Sequence, residues 1–363
     1  MKHKKIKMTL LIVLGALGAL AVAGCIVLRR PVFGGTPGGE RLARIMRSPN
    51  WHDGQFHNRL PTPVMTDSGG GFLAGMYEFL FASRPVVTPP APLTMARRDL
   101  RHLPADRDLY VWFGHSSYLL SLHGTSVLVD PTFCAAAPFS FANRAFAGTD
   151  RYRPADMPAV IDYLVITHDH YDHLDYETVR QLRPRVRRVI CPLGVGAHFE
   201  RWGYRPGLIT ELDWDETATG PDGTRFHCLT ARHFSGRTLR RNTTLWASFL
   251  VETGGVRIFL GGDSGYGPHF QQIGTRFGRI DLAILENGQY DSRWAHIHTL
   301  PHQLGREAVE LRARQVVTVH HSKYALARHP WDEPLRNELR ARDAYDLHLI
   351  VARLGDITPL SLR

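Results

Sequence analysis

An α+β fold is predicted, with sheets inside, helices outside and an apolar segment in front, and three observations predict it. Short β-branched runs such as residues 161–166 end abruptly in polar residues, the pattern of strands buried on both faces. Stretches with helical spacing appear only after several such runs and then alternate with further ones, an order that suits interior sheets covered by helices. Finally, Met8 to Leu28 is 21 residues long and carries no charge.

The apolar segment is preceded by Lys2, Lys4, Lys5 and Lys7 and followed by Arg29 and Arg30. At about 1.5 Å per residue it reaches across a bilayer core of roughly 30 Å. The four lysines outweigh the two arginines, so an uncleaved anchor in a bacterial-type inner membrane is expected, N-terminus cytoplasmic and the rest of the chain outside, in the periplasm. A cleaved signal peptide is the competing reading. Val22-Ala23-Gly24-Cys25 also resembles a lipoprotein cleavage box, which makes a lipid on Cys25 the alternative anchor. Residues 31–105 are rich in Pro and Gly and read as a linker followed by irregular structure wrapped on the main body. Phe56-His57-Asn58 and the aromatic patch at 76–81 suggest packed pieces within it. The expected division is therefore an anchor at 1–30, an extension at 31–105 and a main domain at 106–363.

Net charge is +10, and taking away the six Lys and Arg of residues 1–30 leaves +4 for the rest. That mild excess suits an anionic lipid surface and gives no argument for nucleic acid, which is not expected as a partner. Cys134, Cys191 and Cys228 are widely spaced and read as buried thiols, neither a disulfide framework nor a zinc knot.

From residue 109 onward the elements follow in order. Runs at 110–113, 117–122 and 126–129 are strands, the third ended by the turn Asp130-Pro131. A loop rich in Ala, Phe and Pro fills 132–158, then comes the strand 161–166 and a short helix at 176–182. Strand 186–191 precedes a helix at 194–202; 225–230 is a strand; 245–251 and 256–260 form a hairpin around Gly254-Gly255. Helices at 269–277 and 304–312 precede strands at 282–285 and 316–319. A last helix at 334–342 leads into a strand at 347–351.

The chemistry concentrates in Thr167-His168-Asp169-His170-Tyr171-Asp172-His173, directly after the strand 161–166. Imidazole and carboxylate are ligands that divalent zinc accepts, and a loop at a strand end can aim several at one point. Three further polar groups also follow buried strands: His233, Asp263 between glycines, and the pair His320 and His321. Single residues of this kind are usually caps or surface groups, but here they recur after successive strands in a chain that already holds the histidine-rich loop.

The pattern H-x-H-x-D-H at 168–173 resembles the signature of the metallo-β-lactamase superfamily without a mismatch. The resemblance implies a four-layer αβ/βα sandwich with metals at one edge between two sheets. It implies His168, His170 and His233 on a first metal, Asp172, His173 and His320 on a second, and Asp263 bridging them. His321 is expected to be a neighbour only. Two Zn²⁺ are the implied cofactors, with Mn²⁺ or Fe as the alternatives, and Asp172 and Asp263 are the expected catalytic carboxylates. Within the superfamily the chain is similar to the N-acyl-phosphatidylethanolamine-hydrolysing phospholipase D branch. Gly114-His115-Ser116-Ser117, the metal loop, Glu211-Leu212-Asp213-Trp214, Gly262-Asp263-Ser264-Gly265-Tyr266 and residues 290–294 carry that likeness. His298 and Tyr290 are the implied substrate contacts. Ser322 with Lys323, and Glu286-Asn287, depart from the branch's pattern and are expected near the cleft entrance.

The implied reaction is hydrolysis of a phospholipid phosphodiester by hydroxide shared between two ions, giving phosphatidic acid and an N-acylethanolamine. A lactonase or a phosphodiesterase for soluble substrates is the rival within the superfamily. An RNA-cutting relative and a membrane-tethered metal-binding protein without activity are the more distant ones.

Overall fold

The computed structural model describes residues 2–66, 77 and 85–362. Helix α1, Lys2–Leu28, contains the stretch Met8–Leu28, with mean hydropathy 2.7 and none of it buried. It is the one helix among the described residues long and apolar enough to cross a membrane.

The body is built on two mixed sheets. The first joins β3 (Leu109–Trp112), β4 (Tyr118–Leu122), β5 (Thr125–Val129), β6 (Ile161–Val165), β7 (Val186–Pro192) and β8 (Ile209–Leu212), with β15 (Ile357–Pro359) outside β3. The second runs β14 (Val316–Val319), β13 (Leu282–Glu286), β12 (Val256–Leu260), β11 (Ser248–Thr253), β10 (Arg225–Leu229), β9 (Thr217–Thr219). In each sheet consecutive hairpins pair antiparallel, and the strands reached through crossovers pair parallel. A small hairpin, β1 (Trp51–His52) and β2 (Gln55–Phe56), precedes both.

The continuous apolar runs have a direct cause: successive side chains of a strand point to opposite faces, and here both faces are covered. Ile258 and Leu260 of β12 join Tyr118 and Leu120 of β4 in the core between the sheets. Phe259, between them in sequence, faces the other way and packs under α5 (His269–Phe277), α6 (Leu304–Glu310) and α7 (Glu333–Tyr345). Leu164 and Ile166 likewise sit with Val179 and Leu182 of α3 (Tyr176–Leu182) and Phe199 of α4 (Gly196–Arg201). The result is four layers, α/β/β/α, as the resemblance implied.

Residues 347–351 do not form the expected strand. They make one parallel bridge, Val316 to Leu349, and the chain instead crosses back to close the first sheet with β15. The stretch is half-exposed or exposed throughout, so its apolar residues find too little cover to hold a ladder. Strands β8 and β9 were not anticipated: both are short edge strands, β9 (Thr-Ala-Thr) is largely exposed, and at such edges alternation carries little signal.

No linker separates α1 from the body. Arg201 Nη2 donates to the Arg29 carbonyl (2.5 Å), Trp202 Nε1 to Pro31 (2.8 Å) and Arg237 Nη2 to Val32 (2.8 Å). Helix α2 (Gly39–Met46) continues the wrapping through Arg41, which ion-pairs with Glu200 and Glu211. Asn58 Nδ2 reaches the His233 carbonyl at 2.7 Å, so this part of the extension lies against the histidine cluster. Of the aromatic patch at 76–81, all but Tyr77 lies outside the described residues.

Candidate active site

Every expected ligand leaves the sandwich at one edge, where strands end. The loop after β6 carries residues 167–173; His233 follows β10, Asp263 follows β12 and His320 follows β14. Gly262 has φ +62°, and a Cβ there would come within 2.9 Å of the Thr167 Cβ, so only glycine lets the Asp263 loop lie this close to the histidine loop.

Two groups of nitrogens and oxygens result. His168 Nε2 and His170 Nδ1 are 2.9 Å apart, and His233 Nε2 lies 3.2 Å from the same His170 nitrogen. On the other side His173 Nε2 and His320 Nε2 stand 3.6 and 3.7 Å from Asp172 Oδ2. Asp263 Oδ2 sits between the groups, 3.2 Å from His173, 3.3 Å from His320, 3.7 Å from His233 and 3.8 Å from His168. The seven residues expected from sequence thus come together, with His168, His170 and His233 on one side and Asp172, His173 and His320 on the other.

Four of the five imidazoles are oriented from behind. His233 Nδ1 donates to the Ile297 carbonyl (2.8 Å) and His173 Nδ1 to Asp130 Oδ2 (2.8 Å). Thr167 gives its own proton to Asp130 Oδ2 (2.6 Å), so its hydroxyl oxygen is left to accept from His168 Nδ1 (3.0 Å). His320 Nδ1 lies 3.2 Å from both the Gly288 carbonyl and Glu286 Oε2. With Nδ1 held outward, the Nε2 atoms of four histidines point at the centre, where each offers a lone pair once any proton on it has left. His173 Nε2, His320 Nε2 and Asp263 Oδ1 are buried with no hydrogen-bond partner among the described residues. Converging lone pairs and orphaned buried acceptors are what a cation would satisfy, so the donor set fits a dinuclear metal site.

Electrostatics agree. Burial, reinforced by neighbouring imidazoles, holds His168 well below the usual histidine range, and burial does the same to His233, which keeps both neutral. Burial opposes ionisation of Asp263, but His173 and His320 outweigh it and hold the carboxyl well below the ordinary range. Burial likewise opposes a charge on His320, yet Asp263 and its fellow carboxylates push it up to about 10. The carboxylates therefore draw positive charge into the site.

Three residues with a part in this arrangement were not assigned one from sequence. His115, at φ +52°, donates from Nε2 to Asp172 Oδ2 (2.8 Å), while its own amide and carbonyl bond to the backbone of His321 and His320. Its position in Gly114-His115-Ser116-Ser117, just past β3, was the available signal. Asp130 reads in sequence as a strand-ending turn, and only the fold reveals it behind His173. Glu286 is the third. It lies behind the site, not at the cleft entrance: Oε2 accepts from His298 Nδ1 (2.8 Å), and Oε1 accepts from the amides of Ser264 and Thr299. Lys323 is also not at the entrance. It is buried, gives its ammonium to the Thr132 carbonyl (2.7 Å) and is pushed down to about 8 by burial. It borders a separate hollow of about 540 Å³ under the 132–158 loop.

The cleft over the cluster has a volume of about 240 Å³. Its rim is apolar, with Val64 and Met65 from the extension facing Phe234, Trp294, Ile297 and Leu326. His298 lines it, in ring contact with His233 and His320. Tyr290 does not: its ring is buried against His329, 4.5 Å between centroids.

Residues 125–321 match the family described as Beta-lactamase superfamily domain. The chain belongs to the metallo-β-lactamase superfamily. An uncharacterized protein of Mycobacterium tuberculosis is 39% identical over 306 residues, covering 82% of this chain and 80% of that one. N-acyl-phosphatidylethanolamine-hydrolyzing phospholipase D 1 of Caenorhabditis elegans is 30% identical over 280 residues, 69% of this chain and 76% of its own, which supports that branch of the superfamily. Among solved structures, CmlA, a diiron beta-hydroxylase from Streptomyces venezuelae, shares the fold with TM-score 0.53 at 18% identity, over 70% of this chain and 54% of its own. This metallo-β-lactamase fold implies a dinuclear metal site of the kind the His and Asp clusters form.

Proposed function

We propose that this superfamily member hydrolyses the phosphodiester of an N-acylated phosphatidylethanolamine, releasing phosphatidic acid and an N-acylethanolamine. The observation that carries the reading is the cleft, a small polar floor formed by five of the seven ligand-type residues, His170, Asp172, His233, Asp263 and His320, ringed by apolar side chains. At about 240 Å³ it has room for a headgroup and its phosphodiester, with the acyl chains left outside. The similarity to the nematode phospholipase supports the substrate class.

His168, His170 and His233 would hold one ion, Asp172, His173 and His320 the other, with Asp263 between them. Zinc is the proposed metal because imidazoles dominate the set, and iron or manganese is the alternative. When bound, the pair supplies Lewis acidity that acidifies water and stabilises charge on a phosphoryl oxygen. The chain's own groups do the rest. Asp263 Oδ1 is free to accept a proton from the attacking water, and Asp172 is held in place by His115. With Nδ1 held by Glu286, His298 is left with Nε2 for contact with a substrate hydroxyl or amide in the cleft it lines.

Helix α1 would anchor the enzyme where such a substrate resides, with its N-terminus cytoplasmic and the body outside, and lipidation of Cys25 is the alternative attachment. A second reading, a lactonase or soluble-substrate phosphodiesterase, is favoured by the small cleft alone. Metal-replete enzyme and His168→Ala, assayed with radiolabelled N-acyl-phosphatidylethanolamine in mixed micelles and with a lactone panel, decide between them. Release of the acylethanolamine by wild type and its loss in the variant is the expected result. Turnover of lactones alone would remove the lipid reading.

A further inference from the structure

Outside α1, the two most exposed large apolar side chains among the described residues are Leu239, 89% exposed, and Phe141, 72% exposed. They lie almost a hundred residues apart, on two different loops, and both loops stand beside the point where α1 leaves the body. Arg30, two residues after α1, stacks its guanidinium over the Phe139 ring at 5.5 Å, and Phe139 in turn stacks on Phe141 with ring centroids 5.6 Å apart. On the other side, Arg237, two residues before Leu239, holds the Val32 carbonyl. Each apolar tip is flanked by exposed cations: Arg144 follows Phe141, and Arg240 and Arg241 follow Leu239.

Bare leucine and phenylalanine at loop tips lose free energy in water, and arginines beside them suit a layer of anionic headgroups. We infer that Phe141 and Leu239 are membrane-inserting tips on either side of the α1 exit, which seat the body against the anionic phospholipid leaflet that α1 enters. The inference rests on the proposed anchoring of α1. It adds two contacts and a fixed attitude of the body to that reading. Because Arg237 also donates to the Asp169 and Leu174 carbonyls, the Leu239 tip is continuous with the loop that carries the histidine cluster.

The test uses the full chain in vesicles of phosphatidylcholine and phosphatidylglycerol, with Phe141→Trp, Leu239→Trp and, as a control on α6, Val309→Trp, a site 54% exposed. Relative to wild type, the tryptophans at 141 and 239 should add blue-shifted emission that lipids with brominated acyl chains quench, and the one at 309 should add emission that they do not. Phe141→Asp with Leu239→Asp should lower hydrolysis of vesicle-borne lipid by roughly tenfold, the size expected from two lost apolar insertions of modest depth. If the protein floats with vesicles but positions 141 and 239 stay as water-exposed as 309, the inserting tips are refuted while the anchor stands. If it does not float with vesicles at all, anchor and tips fall together.

Discussion

Asp130 carries more of the site than its place in the chain suggests. Its two oxygens accept from the Thr167 amide, the Thr167 hydroxyl and His173 Nδ1, so one carboxylate sets both the path of the histidine loop and the tautomer of a ligand. Asp130→Asn keeps the shape but replaces one acceptor with a donor facing donors. Weaker metal binding at the second position, by roughly 10–100-fold, is expected, read by competition with a chelating dye while circular dichroism stays unchanged. Equal affinity would leave Asp130 a purely structural residue. At this scale the sequence was most legible where ligands are contiguous: the spacing of His168, His170, Asp172 and His173 needs no tertiary information. Asp130, His115 and Glu286 act through residues 12 to 57 positions away that meet them only along the sheet edge, and no local pattern distinguishes them from a turn, a loop or a strand end.

Among elements, α7 is bound to β14 by a group with a pH-dependent consequence. Glu338, buried on α7, accepts from the Thr318 hydroxyl, and burial pushes its carboxyl up to about 7 from an ordinary value of 4.5. A carboxyl raised in the folded state binds its proton more tightly there than in the unfolded chain. Stability from this group is therefore full below about pH 4.5 and is lost as pH rises through 7. Glu338→Gln removes the ionisation. Thermal melts should show variant and wild type equal near the acidic end of that window and the variant more stable at pH 8, by a few kcal/mol at most. An unchanged difference across the range would show that Glu338 ionises freely. Elements buried on two sides were readable as apolar runs. The edge strands β8, β9 and β15 were not, because half-exposed edges carry mixed residues and their pairing is decided by what the neighbouring strand leaves open.

Taken as a whole, the molecule closes its site only when both sheets are in place. The first sheet delivers His168, His170, Asp172 and His173, the second delivers His233, Asp263 and His320, and the core between them fixes their separation. Ions bound across that seam bind the native state alone. Stripping them with a chelator should lower the melting temperature by roughly 5–10 °C and restore it on adding zinc back, measured by calorimetry on the intact chain. A melting temperature indifferent to chelation would mean that the sandwich preforms the cluster with no help from the metal.

The clamp of Arg201, Trp202 and Arg237 on residues 29–32 has a kinetic corollary. A catalytic body on a long leash sweeps a hemisphere and can capture solutes from bulk; one bolted within a residue or two of its post cannot. Under the proposed topology its search is planar, so turnover should track the mole fraction of substrate among neighbouring lipids and fall on surface dilution, at constant bulk concentration.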